Sequence, residues 1–377
     1  MGPGPKTRIL IVDDSAVMRS LLRSVIATDS ALQVAGTAAD GASALTAVAL
    51  EHPDLVLLDV EMPVMDGLET LRHLKGRGQK MPVIMCSSLT QRGAKVTIEA
   101  LAAGASDYVA KPSGQANRQE AIRALALELI PKIHALTAET RPRTVFPVAP
   151  RIPPPAPLPA PVTSPGPADP PSVVAIGVST GGPAALDVVL PALPADFPVP
   201  VLIVQHMPEV FTKLFAERLS RRCRLRVCEA TEGEPALTGT IYIARGNWHM
   251  EVIACARGGV KATLHLNQDP PENHCRPAVD VLFRSVARVY SSGVLAVVLT
   301  GMGSDGLAGS KAIRDQGGTV LAQDHATSVV WGMPGAVAQA GLAHKILPLG
   351  AIAPEVIKIA GRAGANAERH NALRMVV

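Results

Sequence analysis

Cysteine is scarce in this chain of 377 residues. The five present, Cys86, Cys223, Cys228, Cys255 and Cys275, are odd in number and form no CxxC pair. That excludes a disulfide framework and a paired-cysteine zinc site, and it fits a reducing compartment. Aromatic residues make up only 3% of the chain, so Ala, Val, Leu and Ile must fill its cores. Apolar runs of the ~20 residues that cross a membrane are missing, so no direct membrane insertion is expected. The N-terminal run Ile9-Leu10-Ile11-Val12 is stopped by Asp13-Asp14, which leaves no signal-peptide core and points to a cytoplasmic protein. Charge of one sign is also lacking. Residues 1–137 carry 14 basic and 14 acidic side chains, and residues 172–377 carry 19 and 16, so no basic face offers itself to nucleic acid.

Proline, by contrast, is concentrated. Between Pro142 and Pro171, 13 of 30 residues are proline. Proline fixes φ and has no N–H, so this stretch can neither join a sheet nor continue a helix. It is expected to be an extended linker that spans about 90 Å when fully stretched. The expected organisation is one domain over residues 1–137, a linker over 138–171 and a second domain over 172–377.

On both sides of the linker, short apolar runs alternate with amphipathic stretches. Strands are predicted at Arg8–Val12, Gln33–Thr37, Leu55–Asp59, Val83–Ser87 and Tyr108–Ala110. After the linker they are predicted at Val173–Gly177, Val201–Gln205, Thr240–Ala244, Val294–Leu299, Thr319–Ala322 and Lys345–Leu347. Helices are expected after Thr180, Pro208, Pro277, Asp305 and Pro334, and an antiparallel edge around Arg226–Leu266. The fold class is α/β: a doubly wound (βα)5 domain followed by a doubly wound, mostly parallel α/β domain.

In a parallel sheet the C-terminal strand ends share one edge, where ligands bind. Asp13, Asp14 and Asp59 fall at such ends. Three carboxylates gathered there call for a cation, and Mg²⁺ suits an oxygen-rich site that must also admit a phosphoryl group. Ser87 ends the fourth strand and can bond a phosphoryl oxygen. Lys111 follows the fifth and can pair with its charge. The Lys111-Pro112 peptide is a candidate for a cis bond that would aim the lysine inward. A carboxylate between a divalent cation and a lysine is a credible phosphoryl acceptor. The stretches Val12-Asp13-Asp14-Ser15, Asp59 through Gly67, Ser87-Ser88 and Tyr108 through Pro112 resemble the receiver domain of bacterial response regulators. That resemblance implies Asp59 as phosphoacceptor, Asp13, Asp14 and Asp59 around Mg²⁺, and Ser87 with Tyr108 as the switch pair that reports phosphorylation.

The second domain opens with Gly177-Val178-Ser179-Thr180-Gly181-Gly182, a G-x-S-x-G turn after a strand. Glycines permit the sharp turn that exposes a serine hydroxyl, and backbone N–H groups at the following helix can hold an oxyanion. His206 ends the strand Val201–Gln205, and Asp305 lies in the glycine-rich turn after Val294–Leu299. Three strand ends thus bring nucleophile, base and orienting acid to one edge. The order Ser, His, Asp differs from the α/β-hydrolase order Ser, acid, His. His249, His265, His274 and Cys275 show no repeated ligand spacing and are expected to be surface or loop residues.

Ile176 through Pro183, Gln205 through Pro208, Arg276 through Phe283, Leu299 through Gly306 and Trp331 through Pro334 resemble the catalytic domain of chemotaxis protein-glutamate methylesterases. Ser304 stands where that family often has asparagine. The resemblance implies a Ser179, His206, Asp305 triad, with Thr180 and the Met302 backbone near the oxyanion or substrate. It implies ester hydrolysis and glutamine deamidation on chemoreceptor cytoplasmic helices, with a sensor histidine kinase as phosphoryl donor. The esterase reaction is expected to need no cofactor. Domain order suggests that the unphosphorylated receiver covers the Ser179 edge. A DNA-binding regulator is disfavoured by the α/β second half; an adaptor without turnover is the remaining rival.

Overall fold

The computed structural model describes residues 6–112, 117–138, 171–255 and 260–374, the side chains of the last segment as far as Gly361. Nearly all of the expected linker, residues 139–170, lies outside the described residues. The chain divides into two compact units, each described on its own below.

The first unit runs β1 (Thr7–Val12), α1 (Ala16–Ile26), β2 (Leu32–Ala38), α2 (Gly41–Glu51), β3 (Leu55–Asp59), α3 (Gly67–Gly76), β4 (Val83–Ser87), α4 (Gln91–Ala102), β5 (Asp107–Ala110) and α5 (Arg118–Thr137). Its five strands form a parallel sheet in the order β2-β1-β3-β4-β5. β3 and β4 are buried at every position and show no polar alternation, as strands covered on both faces should. Side chains of Ser15, Asp40, Asp66, Thr90 and Asn117 cap the five helices by accepting first-turn N–H groups. The strand order reverses between β1 and β3, which places Asp13 and Asp59 side by side at the switch point.

The second unit runs β6 (Val173–Val178), α6 (Gly182–Val189), β7 (Val201–Gln205), α7 (Glu209–Ser220), β8 (Arg226–Glu229), β9 (Thr240–Ile243), β10 (His249–Ala254), β11 (Ala262–Asn267), α8 (Val279–Tyr290), β12 (Val294–Val298), α9 (Leu307–Asp315), β13 (Thr319–Gln323), α10 (Met333–Gln339), β14 (Lys345–Leu347) and α11 (Leu349–Arg374). Seven strands form one parallel sheet, β14-β13-β12-β6-β7-β9-β8. The stretch expected to be an antiparallel edge splits in two. β8 and β9 pair in parallel at the sheet edge, while β10 and β11 form a separate antiparallel hairpin. The hairpin alternates buried and half-buried positions along β11, and its apolar face joins a core with Leu282, Phe283 and Val286 of α8. β6 lies between β7 and β12, so strands that follow it in sequence depart in opposite directions and leave a crevice at their C-terminal ends.

Between α9 and β13, Gly318 is packed so that an added Cβ would stand 2.5 Å from Ile313 Cγ2 and 3.1 Å from the Val294 carbonyl. Gly318→Ala is therefore expected to destabilise the second unit by about 1–3 kcal/mol through overpacking. Denaturant melts should show a lower midpoint, with kcat per folded molecule unchanged because the site lies elsewhere.

Candidate active site and phosphoacceptor site

At the switch point of the first sheet, Lys111 Nζ lies 2.8 Å from Asp13 Oδ2 and 2.7 Å from Asp59 Oδ1. Asp13 and Asp59 are buried, Asp14 is exposed, and ligand atoms of the three come within 4.8 Å of one another. Three carboxylates against one ammonium leave an excess of negative charge on hard oxygen donors, a set that fits Mg²⁺. Burial holds the Asp59 carboxyl above its ordinary range; the Lys111 bond opposes this and Asp13 adds to it. Burial disfavours the Lys111 ammonium, but Asp13 and Asp59 outweigh it and keep its pKa high. The Lys111-Pro112 bond is not cis, contrary to expectation. The lysine reaches both carboxylates without it.

Ser87 Oγ lies 2.7 Å from Thr97 Oγ1 and 3.1 Å from the Ser88 carbonyl. Tyr108 pairs in register with Met85, two positions before Ser87, so Tyr108 and Ser87 share a sheet face. Tyr108 is buried, with Lys132 Nζ 5.2 Å from its ring centroid and 2.6 Å from its carbonyl.

In the second unit, Ser179 follows β6 and is tied down on both sides. Its N–H donates to the Thr300 carbonyl beyond β12 (3.0 Å), and its carbonyl accepts from Gln205 Nε2 on β7 (3.0 Å). Gln205 also donates to the His206 carbonyl, and the His206 N–H donates to the Val178 carbonyl. Nucleophile and histidine thus stand at neighbouring strand ends with their backbones cross-linked. Two glycines are required here. Gly181 has φ +77°, and a Cβ on it would stand 2.6 Å from Val329. A Cβ on Gly301 would stand 2.9 Å from Ser179 Cβ, so the turn after β12 closes directly on the nucleophile. Thr180 is buried, its carbonyl 2.9 Å from Thr300 Oγ1. Met302 follows Gly301 in the same turn, partly exposed.

Asp305 accepts five hydrogen bonds: from the N–H groups of Val279 (2.7 Å), Asp280 (2.9 Å) and Gly306 (3.0 Å), from Asn273 Nδ2 (3.0 Å) and from His206 Nε2 (2.8 Å). Val279 and Asp280 open α8, so the carboxylate also sits at the positive end of that helix. Burial would raise its pKa; the His206 bond and the helix amides outweigh burial and hold it below its ordinary value. Asp280 differs. Burial pushes its pKa up, and the Asp305 charge adds to this against the Gly309 and Asn273 bonds. Burial disfavours the His206 imidazolium, but Asp305 and Cys275 outweigh it and push the ring up to about 9. No hydrogen bond joins Ser179 Oγ to the imidazole among the described residues; Nδ1 instead lies 3.6 Å from Cys275 Sγ.

One residue assigned to a surface or loop role is corrected here, and one loop residue turns out to contact the site. His249 is buried in β10, where Nδ1 accepts from Ala278 N and Nε2 meets the Pro270 carbonyl. Cys275 touches His206. Asn273, which bridges Asp305 and Asp280 (3.0 Å each), was also not singled out. A cluster of polar residues, Asn273-His274-Cys275, directly ahead of the Arg276-Pro277 that precedes a helix was the available signal.

Residues 174–356 match the family described as CheB methylesterase, and residues 9–123 match the response regulator receiver domain. A protein of Trichodesmium erythraeum (strain IMS101), named protein-glutamate methylesterase/protein-glutamine glutaminase, is 47% identical over 95% of this chain and 100% of its own length. A protein of the same name from Nocardioides sp. (strain ATCC BAA-499 / JS614) is 48% identical over 94% of this chain and 95% of its own. The crystal structure of the Thermotoga maritima CheB methylesterase catalytic domain is 42% identical, covers 50% of this chain and 98% of that one, and has a TM-score of 0.48.

The raised His206 pKa yields a titration test. NMR of the ring should find its midpoint near 9, and Asp305→Asn should bring it down toward 6.5. The folded pKa lies above the unfolded one. This group's contribution to stability is therefore full below the unfolded value of 6.5 and lost as pH rises through about 9.

Proposed function

This chain belongs to the protein-glutamate methylesterase/protein-glutamine glutaminase family, with a receiver domain ahead of a CheB methylesterase domain, and we propose that its chemistry runs through Ser179, His206 and Asp305 under the control of Asp59. It is a hydrolase of bacterial chemotaxis that removes methyl esters from protein glutamates and deamidates glutamines. The observation that carries the residue assignment is the 2.8 Å bond from His206 Nε2 to the buried Asp305, at the strand end next to Ser179.

Asp305 holds the proton on Nε2, which leaves Nδ1 as the basic nitrogen. As Ser179 Oγ attacks the γ-carbonyl carbon, its proton passes to Nδ1. The Thr180 region and the Met302 backbone hold the developing oxyanion. The imidazolium returns the proton to the departing methoxide or amide, releasing methanol or ammonia. A water molecule, deprotonated by the same nitrogen, then frees the glutamate and restores the serine. The substrates are methylated cytoplasmic helices of chemoreceptors, and the enzyme works in the cytoplasm.

At the receiver, the Asp59 carboxylate accepts a phosphoryl group from a sensor histidine kinase. Lys111 pairs with the incoming charge, and Ser87 with Tyr108 reports it. Asp13, Asp14 and Asp59 would hold Mg²⁺, which supplies charge neutralisation for the phosphoryl oxygens.

Methanol release from methylated receptors should fall at least about 10³-fold in Ser179→Ala. In the wild type, kcat/KM should climb as pH rises through about 9, because the base must be neutral. Asp59→Asn should abolish both phosphate incorporation and the change in rate on adding a phosphoryl donor. No wild-type turnover on several receptor types would favour the adaptor instead.

A further inference from the structure

The residues at the starts of α8 and α9 cannot cap their own helices. Ala278 ahead of α8 and Gly306 ahead of α9 have no side chain that accepts a hydrogen bond. First-turn amides left in this way need acceptors from elsewhere. Here each helix takes its acceptor from the other. Asp305, the residue before Gly306, accepts from Val279 N (2.7 Å) and Asp280 N (2.9 Å) in the first turn of α8. Asp280, in that same turn, accepts through Oδ1 from Gly309 N in the first turn of α9 (2.6 Å). The exchange is possible because the two helix starts touch. A Cβ on Gly309 would stand 2.4 Å from Phe283 Cβ and 3.1 Å from Asp280 Oδ1.

A third piece joins the two carboxylates. Asn273 Nδ2 lies 3.0 Å from Asp280 Oδ2 and 3.0 Å from Asp305 Oδ1, so its two hydrogens can go one to each acid. Its turn is closed by the two backbone bonds between Glu272 and Cys275 (3.1 and 2.9 Å) and fastened to α8 by Arg284 NH1 on Glu272 Oε1 (2.7 Å). The result fixes how the Asp305 carboxylate is turned. Its Oδ1 is held by three donors, Asn273 Nδ2, Asp280 N and Gly306 N. Its Oδ2 is left to Val279 N and His206 Nε2.

We propose that Asp280 and Asn273 are positioning residues for the catalytic acid: by reciprocal capping of α8 and α9, bridged by one amide, they lock Asp305 in the orientation from which it holds His206. The inference rests on Asp305 being the acid that orients His206. Among the described residues, only Asp305 of the three bonds the ring. Asp280 and Asn273 therefore act through it. Without Asp280, Gly309 N–H loses its acceptor and the start of α9 loses its return bond to α8. Without Asn273, two buried carboxylates face each other with no donor between them, and turning apart would swing Oδ2 away from the imidazole. The two acids' pKa values, Asp305 held down and Asp280 pushed up, agree with a pair in which one member keeps its charge.

The test uses the full chain in wild type, Asp280→Ala, Asp280→Asn and Asn273→Gly. Alanine is a better helix former than aspartate, and glycine accepts the φ of 52° at position 273, so neither change strains the backbone. Asp280→Asn keeps an acceptor for Gly309 N–H but turns an NH2 group toward that of Asn273, so it breaks only the bridge. Two readouts are taken: kcat and KM for methanol release, corrected for the folded fraction, and the downfield NMR resonance of the His206 Nε2 proton. In Asp280→Ala kcat should fall about 10- to 100-fold, and in the other two about 10-fold, with KM within about twofold of wild type. The resonance should broaden or vanish in all three. A lower denaturation midpoint with kcat and the resonance unchanged is the signature of a purely structural role and overturns the proposal. So does a fall in kcat with the resonance intact. If Asp305→Asn keeps the wild-type kcat, the assignment of the acid fails instead. Should the variants not fold, amide exchange in the wild type decides: Gly309 N–H should exchange as slowly as the bonded amides of α9, and exchange at the rate of a free first-turn amide overturns the lock.

Discussion

The second unit depends on keeping one carboxylate charged in a place that excludes water. Asp305 is almost fully buried, and an unpaired charge there would cost several kcal/mol. Five donors prevent that, and they tie several separate constraints on the chain to one point. The helix start at Val279 fixes where α8 must enter. Gly306 fixes the turn after β12, and Asn273 fixes the loop that carries Cys275. His206 supplies the fifth bond, and it is the only donor among the five able to give up its positive charge. The catalytic consequence follows: a ring held next to a permanent anion keeps its proton until the solution is alkaline.

The first unit solves a related problem differently. There each buried carboxylate accepts a single backbone N–H, Asp13 from Ser15 and Asp59 from Glu61, and the two share one ammonium, Lys111. Such a site stays electrostatically unfinished and retains an appetite for cations, whereas the Asp305 site is closed and saturated. Both sit at a reversal of strand order. The same topological device therefore serves a site that must accept a new charge and a site that must hold an existing one.

Much of this was legible in the sequence because both sites use strand ends, and strand ends are marked by where an apolar run stops. Asp13, Asp59, Ser179 and His206 could all be placed that way. The less legible parts lie where no run ends. β8 and β10 mix buried and exposed positions, and the apolar face of the β10–β11 hairpin finds its partner in α8, a tertiary contact that local pattern does not show. Asn273 and Cys275 belong to a short irregular turn whose geometry depends on left-handed backbone, which a single sequence does not announce. Lys111 was placed correctly at the edge, but the backbone isomer invoked to bring it there was not needed.

The two units also start their helices differently. Every helix of the first has a side-chain cap, whereas α6 and α9 of the second begin at Gly181 and Gly306, both at positive φ and without one. A capping side chain has close substitutes, since Ser, Thr, Asp and Asn all serve. A glycine that combines left-handed backbone with a neighbour at 2.6 Å, as Gly181 does, has none. The two halves of one gene product should therefore drift at unequal rates around their working edges. At the phosphoacceptor edge the capping positions admit several spellings, although Gly67, where a Cβ would stand 2.0 Å from the Asp59 carbonyl oxygen, does not; at the hydrolytic edge the helix-start positions themselves, with no chemistry of their own, are as unforgiving of change as the nucleophile they flank.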